Sequence, residues 1–244
     1  MIRLVSFDIW GTLIRNNPQF RDARSQIMAD ALGLANRMEE VKTVASAVDH
    51  EIDLITEESG EDFDFKSRFV RVAERLDIDT SSFTKEGIED LEVKIGEVFV
   101  TYAPLFIEPD LISTFTKLKE RGIKIALVSN TGFIRGETMR KGLAKLGILE
   151  LTDYALFSNE VGIAKPDQRI FQVLIKMSGE EPHAIIHVGD NKKTDYQGAS
   201  QAGLRALYFN YKSLPEEEGV KTIWKLSELP ELLEREAIDG KGSL

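Results

Sequence analysis

Hydrophobic positions along the chain change their rhythm twice. Ile2–Phe7 is a short, largely apolar run closed by Asp8 and Gly11, the pattern of a buried strand. From about Pro18 to Thr101 the spacing becomes helical. Met38, Val41, Val44, Ala45, Val48, Ile52 and Ile55 recur at intervals of three and four on one face. Phe65, Phe69, Val72 and Leu76 repeat that stripe behind a capping Asp64, and Ile88, Leu91, Ile95, Val98 and Phe99 form another. Such stripes predict the core of a helical bundle.

After Pro104 strands and helices alternate. "LISTFTKLKERG" predicts a helix closed by Gly122, and "IKIALVSN" a buried strand ending at Ser129. A helix through Arg140–Leu146 leads to the strand "YALFSN", and a helix starting near Pro166 leads to "AIIHVGD", which ends at Asp190. "ASQAGLRALYFN" and "VKTIWKL" add a helix–strand unit and a last strand. This alternation predicts a parallel sheet covered on both faces. The first strand belongs to it, so the helical stretch is an insertion. Its crossings are "IRNNP" and "YAPLFIEP", both rich in turn residues. The expected division is 1–15 with 105–244 for the α/β core and 16–104 for the helical part.

Composition narrows the chemistry. A formal charge of −10 argues against nucleic acid as a partner, though not against a small phosphorylated molecule. With no cysteine, thiolate catalysis and cysteine-bound zinc are excluded. The apolar run before Asp8 is too short for a signal peptide or a membrane span, so the expectation is a cytoplasmic protein with a small-molecule substrate.

In open parallel sheets, ligands bind beyond the carboxyl ends of the strands. Four features lie at or beyond such ends: Asp8 with Thr12; Ser129 with Asn130 and Thr131; Lys165 in "GIAKPD"; and "GDNKKTD" with Asp190 and Asp195. Singly, most of them read as ordinary turn residues. Jointly they match phosphoryl transfer. Asp8 can attack phosphorus, and Mg²⁺ held by Asp8 and Asp190 can neutralise charge, with Asp195 as a ligand or behind the ligands. Lys165 would neutralise phosphoryl oxygens, and Ser129 with nearby N–H groups would hold the phosphate.

With "FDIWGTL", "ALVSNTG", "AKPDQRIF" and "HVGDNKKTDYQGASQAG" in this order, the chain resembles the haloacid dehalogenase superfamily of hydrolases over nearly its whole length. The resemblance implies a doubly wound, Rossmann-like core with an all-helical cap inserted after the first motif. It also implies Asp8 as nucleophile, with Mg²⁺ bound by Asp8, the Trp10 carbonyl and Asp190. Phosphatases of that family usually carry a second Asp where this chain has Trp10, to protonate the leaving group. Three readings follow. The first is a Mg²⁺-dependent phosphatase without that acid. The second is a metal-free 2-haloacid dehalogenase, whose members carry an aromatic residue at the Trp10 position. The third is a non-catalytic ligand binder. The paired acids of the fourth motif rank the first reading highest. Thr12, Asn130, Thr131 and Trp10 are the expected substrate contacts. Asn16, Asn17, Arg21, Phe133 and Arg135 are further pocket candidates, and His50, in the helical part, is a conceivable proton donor that reads first as an exposed helix residue.

Overall fold

The computed structural model describes residues 1–239. β1 (Leu4–Phe7) runs into a loop and a two-residue strand, β2 (Ile14–Arg15). Four helices follow: α1 (Pro18–Ala31), α2 (Met38–Ser59), α3 (Phe65–Arg75) and α4 (Lys85–Thr101). β3 (Leu105–Phe106) then leads to α5 (Leu111–Glu120), β4 (Lys124–Ser129), α6 (Gly136–Lys145), β5 (Tyr154–Phe157), α7 (Ser158–Val161) and α8 (Gln168–Ser178). The remainder is β6 (Ile185–Gly189), a wide π turn (Lys192–Gln197), α9 (Gly198–Gln201), β7 (Arg205–Phe209), β8 (Thr222–Ile223) and α10 (Leu229–Asp239). The last positions of the expected core, 240–244, lie outside the described residues.

Six strands form one sheet in the order β5-β4-β1-β6-β7-β8, every neighbouring pair parallel. The two-residue alternation of a strand divides its side chains between two cores. Val5, Phe7, Ile125, Leu127, Ile186, Val188, Leu207 and Phe209 pack on one face with α5, α6 and α10. Leu4, Ala126, Val128, Ile185 and Ala206 pack on the other with Ile170, Phe171 and Leu174 of α8. This is the doubly wound α/β arrangement that the alternation predicts.

α1 to α4 occupy the interval the helical rhythm predicts. Asn17 caps α1 by accepting from the Gln19 N–H at 3.0 Å, and Asp64 caps α3 by accepting from Ser67 N at 2.8 Å. Val41, Ala45, Val48 and Ile52 are fully buried, and they belong to the same continuous core as the Val5 and Phe7 face of the sheet. At the two crossings the chain pairs with itself: β2 and β3 run antiparallel, Ile14 opposite Phe106 and Arg15 opposite Leu105. The Asn17 amide adds a bond to the Ala103 carbonyl at 3.1 Å.

Three boundaries differ from expectation. α8 starts at Gln168 because Asp167, which accepts from Arg169 N at 2.9 Å, is its cap, and Pro166 belongs to the preceding loop. β6 ends at Gly189, which leaves Asp190 free of the ladder. The helix expected from Arg140 begins at Gly136. Among the described residues no helix is long and apolar enough to cross a membrane.

Phe115 of α5 is fully buried with its ring centroid 4.9 Å from that of Phe7. Phe115→Ala is expected to lower unfolding free energy by about 3–5 kcal/mol, read by denaturant melts.

Candidate active site

β1 lies at the centre of the sheet, flanked by β4 and β6, where successive connections run in opposite directions. Asp8 is the first residue past β1, its N–H bound to the Val188 carbonyl at 2.9 Å. Asp190 follows β6, and Ser129 ends β4. The three strand ends therefore meet at the crevice where open α/β sheets bind ligands.

The centre of the site is a buried ammonium. Lys165, 1% exposed, places Nζ 2.7 Å from Asp8 Oδ1 and 2.7 Å from Asp195 Oδ1. Its loop is fixed by the Asn130 side chain, which accepts from Lys165 N at 2.7 Å and donates to the Lys165 carbonyl at 2.8 Å. Both ends of that amide are thus turned to the backbone of the lysine.

Asp195 is fastened from three sides. Besides Lys165, its Oδ1 lies 3.3 Å from His187 Nε2, and its Oδ2 accepts from Asn191 N at 3.0 Å. The other His187 nitrogen, Nδ1, is 2.9 Å from Ser6 Oγ. A carboxylate only accepts, so Nε2 carries the ring proton and Nδ1 takes the serine's. Burial pushes His187 down, keeping it neutral. Burial pushes Asp195 up, but Lys165 and the His187 bond outweigh it and hold the carboxyl below its usual range. For Lys165, burial works against the charge and is overcome by Asp195 and Asp8, so its ammonium is held more tightly than usual. Gly189 makes this approach possible: a Cβ there would lie 2.2 Å from Asp195 Cγ.

Thr12 links the other two carboxylates. Its hydroxyl is 3.3 Å from Asp8 Oδ2 and 3.5 Å from Asp190 Oδ1, and it accepts from Asp190 N at 3.1 Å. Gly11, at φ +81°, takes the chain past Asp190; a Cβ there would come within 2.4 Å of Asp190 Oδ2. Asp190 has a looser cationic neighbour in Lys212, 3.6 Å away and 56% exposed. Asp8, Asp190 and Asp195 each bring an oxygen within 4.8 Å of the others. Burial pushes Asp8 up to about 7, against the pull of Lys165 and helped by Asp195 and Asp190. Burial, then Asp195, pushes Asp190 up to about 6. Three oxygen donors so close together suit a hard cation such as Mg²⁺.

The remaining candidates lie around this cluster. Ser129 is buried, and its hydroxyl bonds the Asn130 carbonyl at 3.1 Å. Thr131 gives its N–H to Ser158 Oγ at 2.8 Å, and the two hydroxyls are 3.0 Å apart. Ser158 in turn donates to Asp62 at 2.7 Å. The half-buried Trp10 ring lies against Phe99 of α4, centroids 6.2 Å apart. Among the outlying candidates, His50, Asn16 and Arg21 are exposed, Phe133 is buried beneath Arg24, and Arg135 pairs with Glu92.

Sequence reasoning missed His187, Ser6, Asn191, Lys212 and Glu57, whose carboxylate accepts from the Asn191 amide. For His187 a signal existed: Ser6 and His187 are register partners on adjacent strands, a polar pair on an otherwise apolar ladder.

A family model described as haloacid dehalogenase-like hydrolase matches residues 2–203. The chain belongs to the haloacid dehalogenase-like hydrolases. It is 30% identical over 135 residues to phosphoserine phosphatase of Thermus thermophilus, covering 55% of this chain and 52% of that one. The chain thus spans about half the length of that relative. It is 27% identical over 238 residues to (S)-2-haloacid dehalogenase 1 of Pseudomonas sp. (strain CBS-3), covering 96% and 97%. Among solved structures, the HAD-hydrolase YfnB of Bacillus subtilis bound to magnesium superposes with a TM-score of 0.66 at 17% identity, covering 95% and 98%. At that identity the likeness is one of fold.

The pKa shifts carry a sign for stability. Asp8 keeps its proton in the folded hydrolase up to about 7 but loses it when unfolded near 3.8. Between those values the folded state binds more protons, so stability from this group is full below the lower value and falls as pH rises through the upper. With chelator present, the unfolding free energy of the wild type relative to Asp8→Asn should fall between about pH 4 and 7. Urea melts across that range check it, and a flat difference contradicts it.

Proposed function

We propose that this hydrolase is a Mg²⁺-dependent phosphatase acting on a small phosphorylated metabolite through an aspartyl phosphate on Asp8, with the helical stretch 16–104 as its cap. One observation carries the reading: three carboxylates share a small volume with a single buried cation. Lys165 serves Asp8 and Asp195, the neutral His187 adds no charge, and Asp190 is left to the exposed Lys212. A site built only to expel halide from carbon would be hindered by that excess of negative charge, whereas a divalent cation makes use of it. Asp8, Asp190 and the Trp10 carbonyl would hold Mg²⁺, and Asp195, already bonded through both oxygens, would position Lys165 behind them.

In this mechanism Lys165 holds Asp8 Oδ1 and orients the carboxylate, so that an Asp8 oxygen is aimed at phosphorus. Bound Mg²⁺ would supply neutralisation of the phosphoryl oxygens. Asp195, held by His187 and Asn191, keeps Lys165 charged. Ser129 and the backbone around Asn130 line the phosphate side, while Thr131 serves to brace that loop through Ser158. The Trp10 ring closes the pocket against α4 and excludes water.

Metal-free dehalogenation is the second reading. Trp10 favours it, since an aromatic residue offers no proton and a halide leaves without one. It separates from the first by assay. Phosphate release from p-nitrophenyl phosphate or acetyl phosphate should require Mg²⁺ and vanish in Asp8→Asn, and Lys165→Met should lower kcat by about 10²–10³-fold. Undiminished turnover under chelator contradicts the metal mechanism. Chelator-insensitive halide release from 2-chloropropionate moves the assignment to the second reading.

A further inference from the structure

A carboxylate that displaces an alkoxide from phosphorus needs a proton delivered to the departing oxygen. Among the described residues, the titratable groups at the strand ends are already engaged, Lys212 with Asp190 at 3.6 Å and with the Tyr211 ring. Lys165 is locked between Asp8 and Asp195, and His187 is buried between Asp195 and Ser6. Asp8 and Asp190 have their own roles, and the Trp10 indole is no acid. The helices offer the other source of a donor.

Two contacts fix which flank of α2 faces the site. Glu57 accepts from the Asn191 amide, next to Asp190. Arg68 of α3, 2.9 Å from Asp49 and 3.5 Å from Asp53, donates to the Thr131 carbonyl at 3.4 Å, just past β4. Asp49, Asp53 and Glu57 follow one another at four-residue spacing, so they form one row along the helix. Asp53 lies between a contact over the loop after β6 and a contact over the loop after β4, the two loops that flank Asp8. Unlike its neighbours in the row it is open, with 64% of its side chain exposed against 27% for Asp49.

We infer that Asp53 is the general acid of the reaction, carried to the strand ends by α2 in the place Trp10 leaves without one. The inference rests on the phosphatase reading. As the Asp8–phosphorus bond forms and the ester P–O bond breaks, the Asp53 proton passes to the leaving oxygen. Water then attacks phosphorus, Asp53 takes its proton, the acyl phosphate bond breaks, and inorganic phosphate leaves with both carboxyl groups restored. Three charged groups face Asp53: Arg68 from α3, and Asp49 and Glu57 from its own helix. Partial desolvation, with Asp49 and against the pull of Arg68, raises its carboxyl above the usual carboxylate range, towards that of an acid working near neutrality.

The test compares kcat/KM of wild type, Asp53→Asn and Asp53→Glu with Mg²⁺ across pH. The substrates are p-nitrophenyl phosphate and the alkyl phosphates glycerol 3-phosphate, glucose 6-phosphate and a nucleoside 5′-monophosphate. Because kcat/KM reads only as far as phosphorylation of Asp8, Asp53→Asn should lower it by about 100-fold on the alkyl phosphate and only a few-fold on p-nitrophenyl phosphate. The fall in alkyl kcat/KM as pH rises through and past neutrality, which reports the acid losing its proton, should disappear, and Asp53→Glu should recover part of the rate. Equal losses on both classes, no loss, or a wild type that hydrolyses p-nitrophenyl phosphate but no alkyl phosphate overturn Asp53 and leave the phosphatase reading intact. No phosphate from any substrate overturns both.

Discussion

A lysine ammonium removed from water is tolerated only where opposite charge and hydrogen bonds replace its hydration, and Lys165 is almost wholly buried. Asp8 and Asp195 each reach Nζ at 2.7 Å, and much of the surrounding architecture serves to keep them there. Asp195 comes close enough only because residue 189 has no side chain, and it is steadied by His187 and the Asn191 N–H. His187 is steadied by Ser6, its register partner on β1. The lysine backbone is clamped by Asn130 at the end of β4. A buried ion pair of this kind adds little net stability. What it supplies is position: β1, β4 and β6 are tied to one point, and the carboxylate at the centre has one oxygen already committed.

The same cluster carries more negative charge than its one buried cation balances. Asp8 and Asp195 share one positive charge, while Asp190 adds a third carboxylate whose nearest cation is more than half exposed. Burial answers by raising Asp8 and Asp190 towards neutrality, which is how a protein stores an excess of carboxylates. Deprotonating both requires an added positive charge. On the phosphatase reading proposed above, the acidity of the site and its use of a cation are one property.

Much of this was legible in the sequence because it depended on local rules. The sheet shows in the two-residue alternation that sends Leu4 to one core and Val5 to the other, and α2 shows in the spacing of Val41, Ala45, Val48 and Ile52. Asp8, Thr12, Lys165, Asp190 and Asp195 were found because strand ends announce themselves by polar residues after apolar runs. What escaped depended on which strand lies beside which. Ser6 and His187 are 181 positions apart and become a pair only when β1 and β6 are neighbours. Glu57 and Asn191 meet only when α2 docks on the loop after β6. Asn130 and Thr131, expected as substrate contacts, also hold the backbone of Lys165 and the hydroxyl of Ser158. Turn residues with strong hydrogen-bonding groups commonly brace a loop, and that bracing depends on partners distant in sequence.

That bracing connects the helices to the chemistry. Asp62, between α2 and α3, holds Ser158, and Ser158 holds Thr131. Arg68 reaches the Thr131 carbonyl from α3. The loop after β4 is therefore shaped partly by residues from outside the sheet, as the loop after β6 is by Glu57. The helices return to the sheet through β2 and β3, and the Ile107 N–H binds the Leu13 carbonyl at 3.0 Å, one residue beyond Thr12. Lifting the helices would withdraw Asp53, release both loops and strain the chain beside Asp8. With an acid at position 10 the strand ends could act alone. In the proposed reaction, with Trp10 there, donor and nucleophile sit on different parts of the chain, and the two are brought together only when the helices are docked. Trp10 enforces that dependence, because the ring that leaves the strand end without an acid is also the one that packs against α4.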